Sequence, residues 1–249
     1  MIKLNKYRGL LTNWRYWIAL RHGVAATVEH KQALGNSEFA TVIDVGANKG
    51  QFATYALVRW PRARLICFEP LPQPHAILAR ITQGHAELHK CALGAEQGEG
   101  LMHLATRLDS SSLLPLGKGQ KHIFRMYEQG ELRVPLTRLD VCLSGLLTRP
   151  TLLKIDVQGF ELEVLKGAVG ILPAIDAVYV EVSYITLYKG QPLRDDIEQF
   201  LCTVGFECVG AFNEYRYKGE RIQSDLLFRH RHSTVGPVWR SANHGGGAV

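Results

Sequence analysis

A glycine-containing turn at residues 44–50 has the composition of a ligand-binding site. It ends the β-branched run Thr41-Val-Ile-Asp-Val45, which is typical of a buried parallel strand. Gly46 and Gly50 suit a tight turn from strand into helix, in which the backbone comes close to a ligand. In open α/β sheets, ligands bind beyond the carboxyl ends of the strands. The turn is therefore the first candidate site.

Two acidic residues, Asp44 and Glu69, indicate which ligand this turn favours. A nicotinamide dinucleotide needs a G-x-G-x-x-G turn, and the segment Gly46–Gly50 lacks one of those glycines. Asp44 would also repel a pyrophosphate, whereas it would attract a cationic ligand such as S-adenosylmethionine. Glu69, at the tip of the second strand, can accept both ribose hydroxyls of either ligand. We favour the methyl donor, and a nicotinamide-dependent oxidoreductase is the alternative.

Three charged residues near the ends of two later strands are candidates for catalysis. Lys154 and Asp156 are two residues apart on a predicted strand, so their side chains share a face. Asp156 is the natural partner of Lys154, either as a base or metal ligand that the lysine orients or as half of a structural ion pair. Glu181 lies in an apolar run, where a carboxylate is costly unless it is paired or functional. It is a catalytic base, a substrate anchor or a structural acid.

Alternating strands and helices position these residues. The pattern predicts βαβ units with right-handed crossovers and one mostly parallel sheet. Two late strands, joined through residues 213–219, predict a hairpin with one antiparallel strand. The predicted strands are 41–45, 64–68, 86–92, 151–156, 177–182, 206–211 and 222–229, and the predicted helices are 51–60, 73–83, 138–146, 160–167 and 192–204.

Three segments depart from this alternation and set the predicted domain organisation. Residues 1–38 form an N-terminal helical appendage, residues 39–229 form the main domain, and residues 230–249 are a disordered tail. Residues 95–137, rich in turn-forming residues, interrupt the main domain with short strands predicted near 100–105 and 131–136. This insertion is interpreted as a substrate-side element, and a hairpin extension without ligand contact is the alternative.

The N-terminal appendage has an amphipathic pattern. One reading is a helix packed on its own domain or on a second subunit, as in a homodimer. The other is a helix that lies over the active site or on an anionic membrane through residues 1–21. Its apolar stripe consists of Leu4, Tyr7, Leu11, Trp14 and Ile18, and basic residues lie off the stripe.

Composition excludes several classes of protein. With 46% apolar and 21% charged residues, the chain can bury a core. Its five widely spaced cysteines predict neither disulfides nor zinc and favour a reducing cytoplasm, with the inner face of the membrane as an alternative location. No histidine has the spacing of a metal site. The net charge of +6 comes without a basic stripe, so no nucleic-acid partner is predicted.

The chain resembles the FkbM family of S-adenosylmethionine-dependent methyltransferases over roughly residues 40–229. The resemblance implies a class I, Rossmann-like methyltransferase fold: a three-layer α/β sandwich with a seven-stranded sheet ordered 3-2-1-4-5-7-6. It also implies O-methylation of a sugar, a glycolipid or polysaccharide unit, or a polyketide-like product. The segments that carry it are 42–52, 68–70, 92–94, 137–140, 153–168 and 179–182.

The turn and the matching segments together give the expected site. Gln158 stands where the family usually has glutamate, so one negative charge is absent there. A non-catalytic binding protein on the same fold remains an alternative to the enzyme. The predicted cofactor-binding residues are Asp44, Gly46, Ala47, Asn48, Gly50, Phe52, Glu69, Pro70, Ala92 and Leu93, and the predicted catalytic residues are Asp156, Lys154 and Glu181.

Overall fold

Alternating strands and helices build a central sheet that is covered on both faces. The computed structural model describes residues 13–25, 27–145 and 147–233. The strands are β1 (Thr41–Val45), β2 (Arg64–Phe68), β3 (Glu87–His89), β4 (Ala92–Leu93), β5 (Gly98–Ala105), β6 (Glu128–Thr137), β7 (Thr151–Ile155), β8 (Ala177–Ser183), β9 (Phe206–Tyr217) and β10 (Glu220–His230). The α-helices are α1 (Trp14–Arg21), α2 (Lys31–Leu34), α3 (Gln51–Arg59), α4 (Pro72–Thr82), α5 (Leu139–Cys142), α6 (Glu161–Lys166) and α7 (Arg194–Thr203).

The central sheet has the predicted topology. Its seven strands are ordered β3-β2-β1-β7-β8-β10-β9, and β10 runs antiparallel to both of its neighbours. The order reverses beside β1, where β2 lies on one side and β7 on the other. This order is that of class I methyltransferases, so the predicted fold is confirmed. The reversal opens a crevice at the carboxyl ends of β1 and β7, which is where such sheets bind ligands.

The core lies on both faces of this sheet because successive side chains of a strand point in opposite directions. In β1, Ile43 and Val45 pack into one apolar cluster, together with α6 and α7. Val42 points to the other face and packs with Phe39 and with α3. All five residues of β1 are buried. The uninterrupted apolar run in the sequence therefore reflects a strand covered on both sides.

The interruption at residues 95–137 forms a second, smaller sheet. Its order is β4-β6-β5, and the short strands predicted near 100–105 and 131–136 are confirmed as β5 and β6. The single strand predicted over 86–92 is wrong, because β3 pairs with β2 whereas β4 leaves the central sheet to pair with β6. This second sheet is anchored near β8 by a bridge between Leu116 and Tyr188.

Three other predicted boundaries are corrected. The helix expected over 138–146 ends at Cys142, just before a Ser-Gly pair. The hairpin turn is formed by Lys218 and Gly219, both with positive φ, and not by the whole of 213–219. Residues 230–233, predicted to belong to a disordered tail, are held in place, because the His230 N–H donates to the Asp176 carbonyl and the Ser233 hydroxyl to the Asp176 carboxylate. Residues 234–249 lie outside the described part.

The N-terminal helix packs through a different face from the one predicted. Leu4, Tyr7 and Leu11 of the predicted stripe lie outside the described residues. In α1, Tyr16 and Ala19 are buried against α3 and α4, whereas Trp14 is 54% exposed. Small Ala19 lets the helix approach α4 closely, which explains the change of face. Within the described ranges, no helix is long and apolar enough to span a bilayer.

Candidate active site

A cavity of about 520 Å³ opens at the carboxyl ends of the central strands. Its walls come from the ends of β1, β2, β7 and β8, from the insertion, from the β9–β10 hairpin and from residues 27–30. Asp44 and Gly50 are predicted site residues that do not line it. The predicted residues that do are Gly46, Ala47, Asn48, Phe52, Glu69, Pro70, Ala92, Leu93, Lys154, Asp156 and Glu181.

The turn after β1 forms one wall of the cavity and is tightly built. Gly46 has a φ of 77°, and a Cβ at this position would collide with the carbonyl oxygen of Asp156. Gly50, with a φ of 93°, packs against Leu78 and begins α3. The first glycine thus allows β1 and β7 to meet without a gap, and the second sets the direction of the helix.

Glu69 holds this turn in place and still presents its carboxylate to the cavity. Its two oxygens accept hydrogen bonds from the backbone N–H groups of Asn48 and Leu71, both at 2.8 Å. Burial raises the pKa of Glu69 to about 7, although these two bonds oppose the rise. An ionised carboxylate has about four acceptor positions, so each oxygen can also receive a ligand hydroxyl.

Two further polar groups beside the turn are available to a ligand. The side-chain oxygens of Asn48 and Gln51 are buried, and neither has a hydrogen-bond donor among the described residues. Both residues line the cavity, as do apolar Leu93 and Phe160. Unpaired buried acceptors suit a ligand that brings its own donors, such as an amino-acid ammonium. The apolar side chains suit a flat base, so these residues fit S-adenosylmethionine.

Asp44 does not line the cavity and contacts Lys154, so the predicted pair of Lys154 and Asp156 is present with Asp44 as a second and closer partner. The Lys154 Nζ lies 3.1 Å from Asp44 Oδ1 and 3.7 Å from Asp156 Oδ2. The two residues are register partners on β1 and β7. Burial alone would lower the pKa of Lys154, but the carboxylates of Asp44 and Asp156 outweigh it and raise that pKa. Lys154 therefore stays charged and connects the donor turn to Asp156.

An amide joins the two predicted catalytic carboxylates. The Gln158 Nε2 donates to Asp156 Oδ1 at 2.8 Å and to Glu181 Oε2 at 3.2 Å. Gln223 also donates to Glu181 Oε2, at 2.7 Å. Burial and then the negative charge of Asp156 raise the pKa of Glu181 well above its usual range. Asp156 faces the cavity with 37% of its side chain exposed, so it is the carboxylate that an entering hydroxyl can reach.

Behind these carboxylates lies a second hydrogen-bonded chain that involves the N-terminal segment. The Tyr179 hydroxyl donates to Asp225 Oδ2 at 2.7 Å, and the phenol oxygen lies 3.2 Å from His30 Nδ1. Because the Tyr179 hydroxyl donates its proton to Asp225, the hydrogen bond between His30 and Tyr179 requires His30 Nδ1 to be the donor. Burial, and then the charge of Lys154, lower the pKa of His30 to about 3, so the imidazole is neutral. Asp225 is the β10 register partner of Glu181.

The remaining wall of the cavity is formed by side chains suited to a polar, uncharged ligand. The rings of Phe124 and Tyr215 lie 5.3 Å apart and tilted by 30°. Gln120, whose amide donates to the Tyr188 hydroxyl at 2.7 Å, and Asn213 add amide groups. Gln120 and Phe124 come from the insertion, and Asn213 and Tyr215 come from the β9–β10 hairpin. This wall is the candidate acceptor surface.

Comparison with known proteins agrees with this geometry. The family model described as "Methyltransferase FkbM domain" matches residues 44–208, which include the donor turn and both predicted catalytic strands. The chain belongs to the FkbM methyltransferase family. Its methyl donor is S-adenosylmethionine, and the nicotinamide alternative is set aside.

Three relatives of this FkbM protein carry descriptive names. "Methyltransferase 1" of Beauveria bassiana is 29% identical over 51% of this chain and 57% of its own length, so the chain spans little more than half of that relative. "2-O-methyltransferase NoeI" of Sinorhizobium fredii is 29% identical over 76% of this chain and 78% of its own length. "Hexuronic acid methyltransferase AglP" of Haloferax volcanii is 27% identical over 56% and 54%, respectively.

Sequence reasoning missed several residues of the FkbM site. His30 lies in the appendage and carries no motif, and Tyr188 and Gln223 are separated from every recognised segment. Asp225 gave one usable signal, a carboxylate in the apolar strand β10. Among the described residues, a group of metal-ligand type, His103, Glu128 and Glu131, lies on the insertion and does not line the cavity.

Proposed function

We propose that this FkbM methyltransferase transfers a methyl group to a hydroxyl of an uncharged sugar unit, free or part of a glycan or glycolipid. The observation that carries the proposal is the position of the Asp156 carboxylate in the cavity. Its carboxylate lines the cavity, receives the Gln158 amide and lies 3.7 Å from the Lys154 ammonium. Such a group can take the proton of an incoming hydroxyl, which an aliphatic alcohol must lose to become a good nucleophile.

The chain's own residues divide the work of the reaction. Bound S-adenosylmethionine supplies an electrophilic methyl group, and the turn residues with Glu69 orient it. Asp156 removes the hydroxyl proton as the acceptor oxygen forms its bond to the methyl carbon and the sulfur–methyl bond breaks. Lys154 and Gln158 hold Asp156 in position. Glu181, whose raised pKa favours its protonated form, orients the acceptor through hydrogen bonds.

The charge of the cavity supports an uncharged acceptor. Asp156 lines it with 37% of its side chain exposed, and a carboxylate in this position repels an anionic sugar. Arg107 and Asp109 also line the cavity, and because they lie 2.7 Å apart their charges offset each other. The relatives support sugar O-methylation, since one is named a 2-O-methyltransferase and another a hexuronic acid methyltransferase. On charge, we expect this chain to prefer neutral sugars to uronic acids.

The substitution Asp156→Asn tests the base. Removal of a general base should lower kcat by about 10²- to 10⁴-fold while the affinity for S-adenosylhomocysteine stays the same. Asp109→Asn is the matched control, because it removes another cavity carboxylate and should leave kcat within about threefold. Equal losses in the two variants, or full activity of Asp156→Asn, would remove Asp156 from this role.

Ligand binding is measured before activity. S-adenosylhomocysteine at about 100 times its dissociation constant should stabilise the chain by roughly 2.7 kcal/mol, seen as a raised melting temperature. Neutral sugars and uronic acids are then compared as acceptors with radiolabelled methyl donor. Faster transfer to the uronic acids would contradict the proposed acceptor class while leaving the donor site intact.

A further inference from the structure

The outer face of α1 carries large apolar side chains that nothing in the described part of the chain covers. Trp14, Trp17 and Leu20 are 54%, 51% and 47% exposed and follow one another at three-residue steps, so they lie along one side of the helix. The opposite side is already packed, because Ala19 contacts Val24 and Ile81. The exposed face is therefore not needed to hold the helix on the domain.

Basic residues are spread along the whole chain, but the excess of basic over acidic residues lies mostly in the segment that contains α1. Residues 1–28 contain five of the 29 Lys and Arg residues and none of the 23 Asp and Glu residues. The rest of the chain carries 24 basic and 23 acidic residues, so this segment supplies +5 of the net charge of +6. On α1 itself, the Arg15 guanidinium lies 4.8 Å from the centre of the Trp14 ring, and Arg21 is exposed at the end of the helix.

We propose that the face formed by Trp14, Trp17 and Leu20 docks on an anionic lipid surface. Tryptophan prefers the boundary between headgroups and acyl chains, and lysine and arginine beside it attract anionic lipids. A second copy of the chain is a poorer occupant, since the three side chains expose on the order of 300–400 Å², and a stable interface needs about 800 Å² per partner. A basic surface would also repel its own copy.

A short segment of chain connects the proposed lipid contact to the cavity. Thr27, Glu29 and His30, which follow α1 in the sequence, line the cavity, and the Thr27 hydroxyl donates to the Gln51 carbonyl at 2.8 Å. Only a short segment thus separates the proposed lipid contact from the donor turn. The docking itself rests on α1 and on the charge of residues 1–28, and does not depend on the proposed reaction.

Vesicle sedimentation of the full chain tests the proposal. The probes are phosphatidylcholine vesicles with and without phosphatidylserine. We expect binding to the anionic vesicles, a blue shift of tryptophan fluorescence, and weaker binding as salt is added. The triple variant Trp14→Glu, Trp17→Glu and Leu20→Glu should lower the partition coefficient by at least about a hundredfold.

A matched triple variant adds the same number of negative charges at a different place on the surface. It shows whether the position of the new charges, and not only their number, decides vesicle binding. Tyr127→Glu, Val141→Glu and Val169→Glu also replace three exposed apolar side chains, 57%, 49% and 48% exposed, and should keep vesicle binding. An unchanged melting temperature and an unchanged shift with S-adenosylhomocysteine show that both variants are folded. The proposal fails if the wild-type chain does not bind anionic vesicles, or if both variants lose vesicle binding equally. It also fails if the α1 variant keeps vesicle binding and differs from wild type only in being a monomer where wild type is a dimer.

Discussion

The two ends of the cavity are built in different ways. The donor end comes from the tips of β1, β2 and β4, and one short turn with Glu69 supplies most of its polar groups. The acceptor end takes Phe124 from the insertion and Tyr215 and Asp225 from the β9–β10 hairpin. A local turn serves a donor that is the same for every family member, whereas an assembled wall can change with the acceptor.

Lys154 is the one ammonium that, within the described residues, touches carboxylates of both ends, Asp44 behind the donor turn and Asp156 in the cavity. Its position on β7, next to β1, allows this double contact. The donor and acceptor ends are consequently coupled through a single buried charge. Three sets of substitutions test whether the two ends of the cavity are built independently.

The largest effect on stability is expected from Lys154→Met. Asp44 would be left buried without a countercharge, which costs about 3–5 kcal/mol of unfolding free energy. The loss should be smaller at pH 5 than at pH 8, because an unpaired Asp44 takes up a proton in the folded state and the folded state then binds more protons than the unfolded state. Urea unfolding at both pH values measures this.

The double variant Asp44→Asn with Lys154→Met is the control for this prediction. It removes both charges, so it should recover part of the stability lost in the single variant. If the unfolding free energy of Lys154→Met lies within about 1 kcal/mol of the wild-type value, the pair of Asp44 and Lys154 does not contribute substantially to stability.

The next largest effect is expected at the donor turn. Gly46→Ala forces a Cβ into the Asp156 carbonyl and should cost about 3 kcal/mol of stability, with a parallel loss of affinity for S-adenosylhomocysteine. Gly84→Ala is the matched control, since its φ of 79° is close to the 77° of Gly46 but no atom lies within 4 Å of its Cβ. The control should lower the unfolding free energy by only about 1 kcal/mol, because alanine at this position must adopt a positive φ but meets no neighbouring atom.

The smallest effect is expected at the acceptor wall. Tyr215→Ala removes a ring that is 42% exposed and should raise the acceptor KM about fivefold, with kcat and donor affinity unchanged, because it removes binding that ground state and transition state share. Tyr127→Ala, an exposed ring that does not line the cavity, should change none of these constants. A change in donor affinity on replacing Tyr215 would contradict the separation of the two ends.

The fold was predictable because its signals are local and repeated. The buried run of β1, the helix α3 after Gly50 and the strand-helix alternation each follow from neighbouring residues. The predicted ends of elements were wrong where contacts between distant parts of the chain determine where an element ends. The strand expected over 86–92 splits because β6, far along the chain, draws β4 into another sheet. His230 is ordered because Asp176 binds it, and no periodicity reports such a contact.

The candidate site was predictable only in part. Short spacings in the sequence pointed to the turn after β1, to Glu69 and to the pair of Lys154 and Asp156. Of these predicted site residues, all except Asp44 and Gly50 of the turn line one cavity. The closer partner of Lys154 is Asp44, more than a hundred residues away, and only the parallel pairing of β1 with β7 reveals this second contact. His30 and Tyr215 reach the cavity through folding alone, so their types and spacing in the sequence carried no signal.

The position of β10 has a consequence for the order in which the molecule is made. β9 leaves the ribosome before β10, yet β9 is the edge strand and pairs with the central sheet through β10 alone within the described residues. Until residues 220–230 emerge, β9 has no strand to join, and Asp225 is missing beside Glu181. Because a domain generally folds as a unit, the central sheet and the candidate acceptor surface can be completed only after residues 220–230 have left the ribosome and β10 has inserted between β8 and β9.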